Sequence, residues 1–128
     1  MTRSLLATGC LLAAASVGAG AFGAHALRAS VSPDQLSIFE TACRYHMYHA
    51  LAILFLGWAS TSFKESGRFI RAAAIAFLAG ILLFSGSLYV YVLTGARWVL
   101  FLTPIGGTLL IAGWLISALL LGRGTAKE

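Results

Sequence analysis

The sequence predicts an all-α integral membrane protein, a four-helix bundle forming one transmembrane domain over residues 1–128. Hydrophobic residues make up 59% of the chain and charged residues only 10%, against about 25% charged in an average soluble domain. Four charge-free stretches are each long enough for a helix to cross a hydrocarbon core about 30 Å thick. The basic residues lie at the ends of these stretches. Lipid is therefore the expected surroundings of the chain.

The predicted membrane spans cover residues 4–26, 44–62, 71–93 and 103–121. Backbone polar groups find no water in the bilayer core, so each span is predicted to be helical. The first span begins like a secretory signal, with Arg3 before an apolar run. That run is longer than the 7–15 residues typical of a signal, so we expect it to remain in the protein as a helix.

The segment before the second span carries a helix-start signal. Ser32 and Gln35 fit a capping box, with Pro33 at the first helical position. This pattern predicts a short interfacial helix beginning near residue 33. We expect that helix to lie at the membrane surface and to run on into the second span.

Two further signals place the ends of the last helices. Thr94 and Gly95 predict the end of the third helix, with the glycine in the left-handed conformation. Thr103 is expected to cap the fourth helix, with Pro104 at its first position. A kink at Pro104 inside a longer helix is the alternative. In the capped arrangement, Trp98 anchors the preceding segment at the outer interface.

Basic residues predict the orientation. One side of the membrane would hold Arg3, Lys64, Arg68, Arg71, Arg123 and Lys127, and the other Arg28, Arg44 and Arg97. Because lysine and arginine are enriched in cytoplasmic loops, we expect both termini in the cytoplasm. The net charge of +5 would suggest nucleic acid in a soluble domain. Without a basic stripe, it indicates contact with anionic lipid and no nucleic-acid partner.

Small residues recur along the spans. The stretch "GAGAFG" at residues 18–23 matches G-x-G-x-x-G, but it lies inside a predicted helix and follows no strand, so a dinucleotide site is rejected. Small residues spaced by four instead favour close helix packing. The predicted packing positions are Gly20, Ala24, Ala76, Gly80, Gly113 and Ser117. Such stripes permit a homo-oligomer or an unknown membrane partner without requiring either.

Polar residues gather in the outer half of the predicted bundle. The candidate polar or ligand-binding residues are His25, Glu40, Arg44, His46, His49, Ser85, Ser87 and Tyr89. His46 and His49 begin the second span on neighbouring faces. We expect His49 and Arg44 to face the bundle, because a charge in the membrane core costs at least about 2.5–3.5 kcal/mol.

Three interpretations of this cluster stay open. The first is interhelical hydrogen bonding, worth about 0.6 kcal/mol per bond. The second is an outward-open cavity that binds an ion, a metabolite or a lipid headgroup. The third is metal or haem ligation by His25, His46 and His49. The first is preferred, and no metal or cofactor is expected, because two histidines one turn apart are a weak metal signal.

Catalytic motifs are missing from the sequence. It holds no HExxH motif, no nucleophile elbow and no paired carboxylates, and its acidic residues are Asp34, Glu40, Glu65 and Glu128. We therefore expect no catalytic residues and a non-enzymatic structural or accessory role. A small carrier, channel or ligand-binding protein is the alternative.

Several motifs together carry a family resemblance. They are "GAFGAHAL" at residues 20–27, "TACRYHMYHALA" at 41–52, "FSGSLYVYVLTG" at 84–95, "TPIGG" at 103–107 and "AGW" at 112–114. With these, nearly the whole chain resembles the bacterial YgdD/YwdK-like membrane proteins, the domain of unknown function 423 family. The resemblance implies four transmembrane helices in the bacterial cytoplasmic (inner) membrane. It supplies no catalytic residues.

Overall fold

Four α-helices account for most of the chain. The computed structural model describes residues 1–63 and 66–123. Within them lie α1 (Thr2–His25), α2 (Pro33–Ser62), α3 (Gly67–Thr94) and α4 (Leu102–Arg123), with short 3-10 turns at Leu27–Ala29 and Arg97–Phe101. The predicted all-α class is confirmed. Lys64, Glu65, Lys127 and Glu128, used above to predict orientation or to exclude catalysis, lie outside the described residues.

The helices pack in chain order, each antiparallel to the one before. The Thr2 hydroxyl lies 2.6 Å from that of Ser60, which pairs the start of α1 with the end of α2. In the same way, Ser87 near the end of α3 contacts Thr103 at the start of α4. The start of α1 and the end of α4 therefore lie at one end of the bundle, called here the Met1 end. The opposite end, called the Arg97 end, carries the connections 26–32 and 95–101.

Three stretches are long and apolar enough to cross a membrane, namely Thr2–Ala29, Gly67–Thr94 and Arg97–Gly122. Helix α2 is not among them, although its 30 residues make it about 45 Å long. Its polar first turns and the pairs Tyr45, Tyr48 and His46, His49 lower its hydropathy. Those polar side chains therefore need partners in the helices around them.

The helix ends follow local signals at two predicted places. The Gln35 backbone N–H donates to Ser32 Oγ over 3.2 Å, and the Ser32 N–H donates to Gln35 Oε1 over 3.1 Å. This capping box is confirmed, and α2 continues from it without interruption to Ser62. Gly95 ends α3 with φ 74°, in the left-handed conformation that glycine adopts without strain. That prediction is also confirmed.

The start of α4 differs from the expected cap. The helix begins at Leu102 and follows directly from the 3-10 turn. Thr103 lies inside the helix, and its hydroxyl bonds to Ser87. Pro104 falls in the first turn, where a backbone N–H has no intrahelical partner, so the proline removes no helical hydrogen bond.

The main apolar core lies between α2 and α3. Its largest fully buried side chains include Ile53 and Leu56 of α2 with Ile70 and Phe77 of α3. A smaller cluster of Leu27, Phe39 and Val92 lies toward the Arg97 end. The two clusters fix the α2–α3 pair, against which α1 and α4 pack, and they position the polar side chains described next.

Candidate functional site

His49 is a buried polar junction between α2 and α4. It is only 4% exposed. The Trp114 indole N–H donates to His49 Nε2 over 3.1 Å, and an indole nitrogen can only donate. His49 Nε2 therefore accepts, and the ring proton lies on Nδ1, which donates to the Tyr45 carbonyl oxygen over 2.7 Å. Both ring nitrogens are used, so His49 is a neutral bridge between the two helices.

His46, one turn away, is only half satisfied. Its Nδ1 lies 3.3 Å from the Tyr89 hydroxyl of α3. His46 Nε2 and Ser85 Oγ are buried without a hydrogen-bond partner in the described part of the chain. An unpaired buried polar atom costs about 1–3 kcal/mol. The α2–α3 contact at this level is therefore less well satisfied than the α2–α4 contact at His49.

Hydroxyl groups join the other neighbouring helices. Ser87 donates its proton to the Phe84 carbonyl oxygen, so the hydroxyl of Thr103 is the donor in the 2.7 Å bond to Ser87 Oγ. Ser16 of α1 donates to the Cys43 carbonyl oxygen of α2 over 2.9 Å. Each pair of neighbouring helices thus shares at least one side-chain hydrogen bond.

Three of the candidate residues lie outside this interface. His25, Glu40 and Arg44 are exposed. Arg44 does not face the bundle as expected; it donates to Thr41 Oγ1 over 3.1 Å. Each residue advances about 100° around a helix, so Arg44, two positions before the buried His46, lies on nearly the opposite face of α2.

The three histidines do not form one site. His46 and His49 are buried at the α2 interface, whereas His25 is exposed at the end of α1. Over residues 1–63 and 66–123, no group of three or more His, Cys, Asp or Glu side chains could hold a metal ion. The described geometry therefore gives the metal interpretation no support.

The predicted packing positions divide between the two halves of the bundle. Ala76, Gly80, Gly113 and Ser117 are buried in α3 and α4, and a Cβ on Gly113 would lie 2.6 Å from Phe77 Cδ1. In α1, Gly20 has open space around it and Ala24 is exposed. The buried positions of α1 are instead Gly9, Ser16 and Gly23, spaced by seven.

A groove of about 540 Å³ opens beside His49, between α2 and α4 and in front of α3. It is lined by Tyr45, Tyr48, His49, Phe84, Gly107, Leu110, Ile111 and Trp114. The groove was not predicted from the sequence. The feature of the sequence that could have indicated the groove is the adjacent pair Gly106 and Gly107. A Cβ on Gly106 would meet the α3 backbone, whereas one on Gly107 would only touch the Phe84 ring at 3.6 Å.

The helices and their inward polar bonds define a multi-pass helical membrane protein. The chain belongs to the family described as "Protein of unknown function (DUF423)", which matches residues 19–107. The resemblance stated from the motifs is thereby confirmed.

Several relatives carry the name UPF0382 membrane protein. SAB0533 of Staphylococcus aureus (strain bovine RF122 / ET3-1) is 44% identical over 84% of this chain and 86% of its own length. YwdK of Bacillus subtilis (strain 168) is 37% identical over 84% and 87%. A Haemophilus influenzae protein is 38% identical over 77% of each chain. No solved structure matches this chain at a significant level.

Proposed function

We propose that this protein is a non-enzymatic, four-span protein of the bacterial cytoplasmic membrane with a structural or accessory role. The observation that carries the proposal is the bonding of His49. Both of its ring nitrogens are occupied, by the Tyr45 carbonyl oxygen and the Trp114 indole. A histidine used in this way has no free nitrogen for a substrate or a metal, and its effect is to join α2 to α4.

Membrane crossing by α2 is part of the proposal. Helix α2 lies antiparallel between α1 and α3, both apolar enough to span a membrane. The bonds from Thr2 to Ser60 and from Ser16 to Cys43 run along most of the length of α1. A helix paired in this way with spanning neighbours shares their depth in the bilayer.

The proposed orientation places the Met1 end in the cytoplasm, where basic residues favour it. Alkaline phosphatase is active only when it is exported across the membrane. A fusion after Arg123 is therefore expected to be inactive, and a fusion after Arg97 to be active. Opposite activities of the two separate fusion proteins would also show that the last helix crosses the membrane. An active enzyme at Arg123 would reverse the proposed orientation.

The structural role predicts how the His49–Trp114 bond contributes to stability. Trp114→Phe removes the indole donor, and interhelical bonds in membranes are worth about 0.6 kcal/mol on average and about 1.7 at most. The thermal unfolding midpoint in mild detergent should fall more than in Trp58→Phe, which changes a tryptophan of similar exposure. Equal midpoints for the two variants would show that the bond contributes nothing.

Replacing His49 and Trp114 together distinguishes a structural role of His49 from a role in chemistry or binding. In the double variant His49→Leu/Trp114→Phe, neither group is left unpaired, so the loss in stability should be small. We expect this variant to complement a chromosomal deletion as well as the wild-type gene does. Failure to complement by a variant of wild-type stability and abundance would show that His49 performs chemistry or binding.

A further inference from the structure

The groove beside His49 is bounded by three helices. Tyr45 and Tyr48 of α2 form one wall, Ile111 and Trp114 of α4 form the other, and Phe84 of α3 lies behind them. The Tyr45 and Phe84 rings are in contact, with centroids 4.8 Å apart. The volume of about 540 Å³ falls in the range of about 300–1,000 Å³ found for small-molecule sites.

The lining suits a hydrocarbon chain. Apart from the tyrosine hydroxyls, it is aliphatic and aromatic. The polar atoms of His49 are already bonded to the Tyr45 carbonyl oxygen and to Trp114, so they offer nothing to a polar solute. The walls belong partly to α3 and α4, which are apolar enough to cross a membrane. With α2 crossing the membrane as proposed above, the medium around the groove is lipid.

A charge at one end of the groove indicates the kind of lipid. Arg44 precedes Tyr48 by four residues, so the two side chains share one face of α2, with Arg44 one turn nearer the Arg97 end. The guanidinium is exposed and donates to Thr41. No carboxylate of residues 1–63 or 66–123 bonds to it. An exposed arginine just beyond an apolar groove is complementary to a lipid phosphate.

We propose that the groove holds one acyl chain of an anionic phospholipid whose phosphate pairs with Arg44. The chain would lie against Phe84 and Gly107, in the space that a larger residue at position 107 would fill. This site is independent of the structural role proposed above, because His49 and Trp114 keep their bond whether or not lipid is present.

Tryptophan quenching by brominated lipid tests the site. In the background Trp58→Phe/Trp98→Phe, Trp114 is the remaining tryptophan of three, and it lines the groove. The protein is placed in phosphatidylcholine nanodiscs that contain a minor fraction of phosphatidylglycerol with brominated chains. The comparison sample contains the same fraction of brominated phosphatidylcholine. We expect stronger quenching by the phosphatidylglycerol, since one basic residue near the surface raises affinity for anionic lipid about fivefold.

Two variants should remove the preference. Gly107→Leu places a large side chain in the groove, and its Cβ would meet only the Phe84 ring, at ordinary distance. Arg44→Gln removes the charge and should lower the preference about fivefold. The matched controls are Gly18→Leu, at a glycine of α1 with open space, and Arg28→Gln, at an exposed arginine of the same end. Both controls should quench like the parent.

The outcomes are distinct. Equal quenching by the two lipids in the parent protein would mean ordinary boundary lipid and would overturn the proposal. Absence of quenching by either lipid would mean that another protein surface, such as a second copy of the chain, covers the groove, and would also overturn it. A preference that survives both Gly107→Leu and Arg44→Gln would place the lipid elsewhere. None of these three results changes the Trp114→Phe stability test of the structural role.

Discussion

Glycines occupy both the α3–α4 and the α1–α2 interfaces, but Gly106 of the first and Gly9 of the second face different atoms. At Gly106 a Cβ would lie 2.7 Å from the Leu83 carbonyl carbon and 2.8 Å from Phe84 Cα, which are backbone atoms. At Gly9 the nearest atoms, at 2.6 and 2.8 Å, belong to the Leu54 side chain. The backbone of α3 moves only with its helix, whereas Leu54 can change rotamer. A small residue is therefore more strictly required at Gly106 than at Gly9.

The largest expected effect is at Gly106. Gly106→Ala pushes a methyl group into the backbone of α3, so α3 and α4 must separate or shift. Overpacking of this kind costs about 1–3 kcal/mol. Thermal unfolding in detergent should show a clearly lower midpoint. The neighbouring Gly107→Ala is the matched control and should unfold near the wild-type midpoint, because its Cβ would contact only the Phe84 ring, at 3.6 Å.

A loss of stability in Gly107→Ala equal to that in Gly106→Ala would break the comparison. It would mean that α4 needs a glycine at both positions. The close approach of Gly106 to the α3 backbone would then not be the cause of the loss of stability. Loss of folding in Gly106→Ala alone would sharpen it instead.

A smaller effect is expected at Gly9. Gly9→Ala meets the Leu54 side chain and, at 3.1 Å, the Ala50 carbonyl oxygen. We expect a loss near the lower end of the roughly 1–3 kcal/mol typical of overpacking, measured by the same thermal unfolding. In a double-mutant cycle with Leu54→Ala, the shortened side chain should remove most of the cost of the added methyl group. Additive losses would show that the Ala50 backbone, and not Leu54, limits α1.

The helix boundaries could be predicted where the signal is local. The capping box at Ser32 and Gln35 and the left-handed Gly95 depend on a few adjacent residues, and both occur as predicted. The start of α4 depends on more than adjacent residues. Thr103 has a side chain that is suited to capping a helix, but its hydroxyl forms a hydrogen bond with Ser87 of α3 instead. A partner from another helix is invisible in the local sequence.

Which side of each helix faces the bundle was harder to predict than where the helix lies in the sequence. Spacing by four shows which residues share a face, but helix α1 is apolar around most of its surface, so no polar face distinguishes inside from outside. This is why Gly20 and Ala24 were expected in the interface that Gly9, Ser16 and Gly23 occupy. In α2 the histidines contrast with apolar neighbours. A separation of two residues already places Arg44 nearly opposite His46 on the helix, so the expectation that Arg44 faces the bundle was wrong.

The smallest expected effect is at Gly20, and it tests whether α1 has a partner outside the chain. Nothing in the described chain lies within 4 Å of a Cβ at this position. Gly20→Ala should therefore leave the unfolding midpoint within about 0.5 kcal/mol of wild type, as surface substitutions usually do. Light scattering of the detergent-solubilised protein should give the same mass for both. A lower mass for the variant would show that the small residues of α1 form a homo-oligomer interface, and that the face of α1 at Gly20 is open within one chain because a second copy covers it.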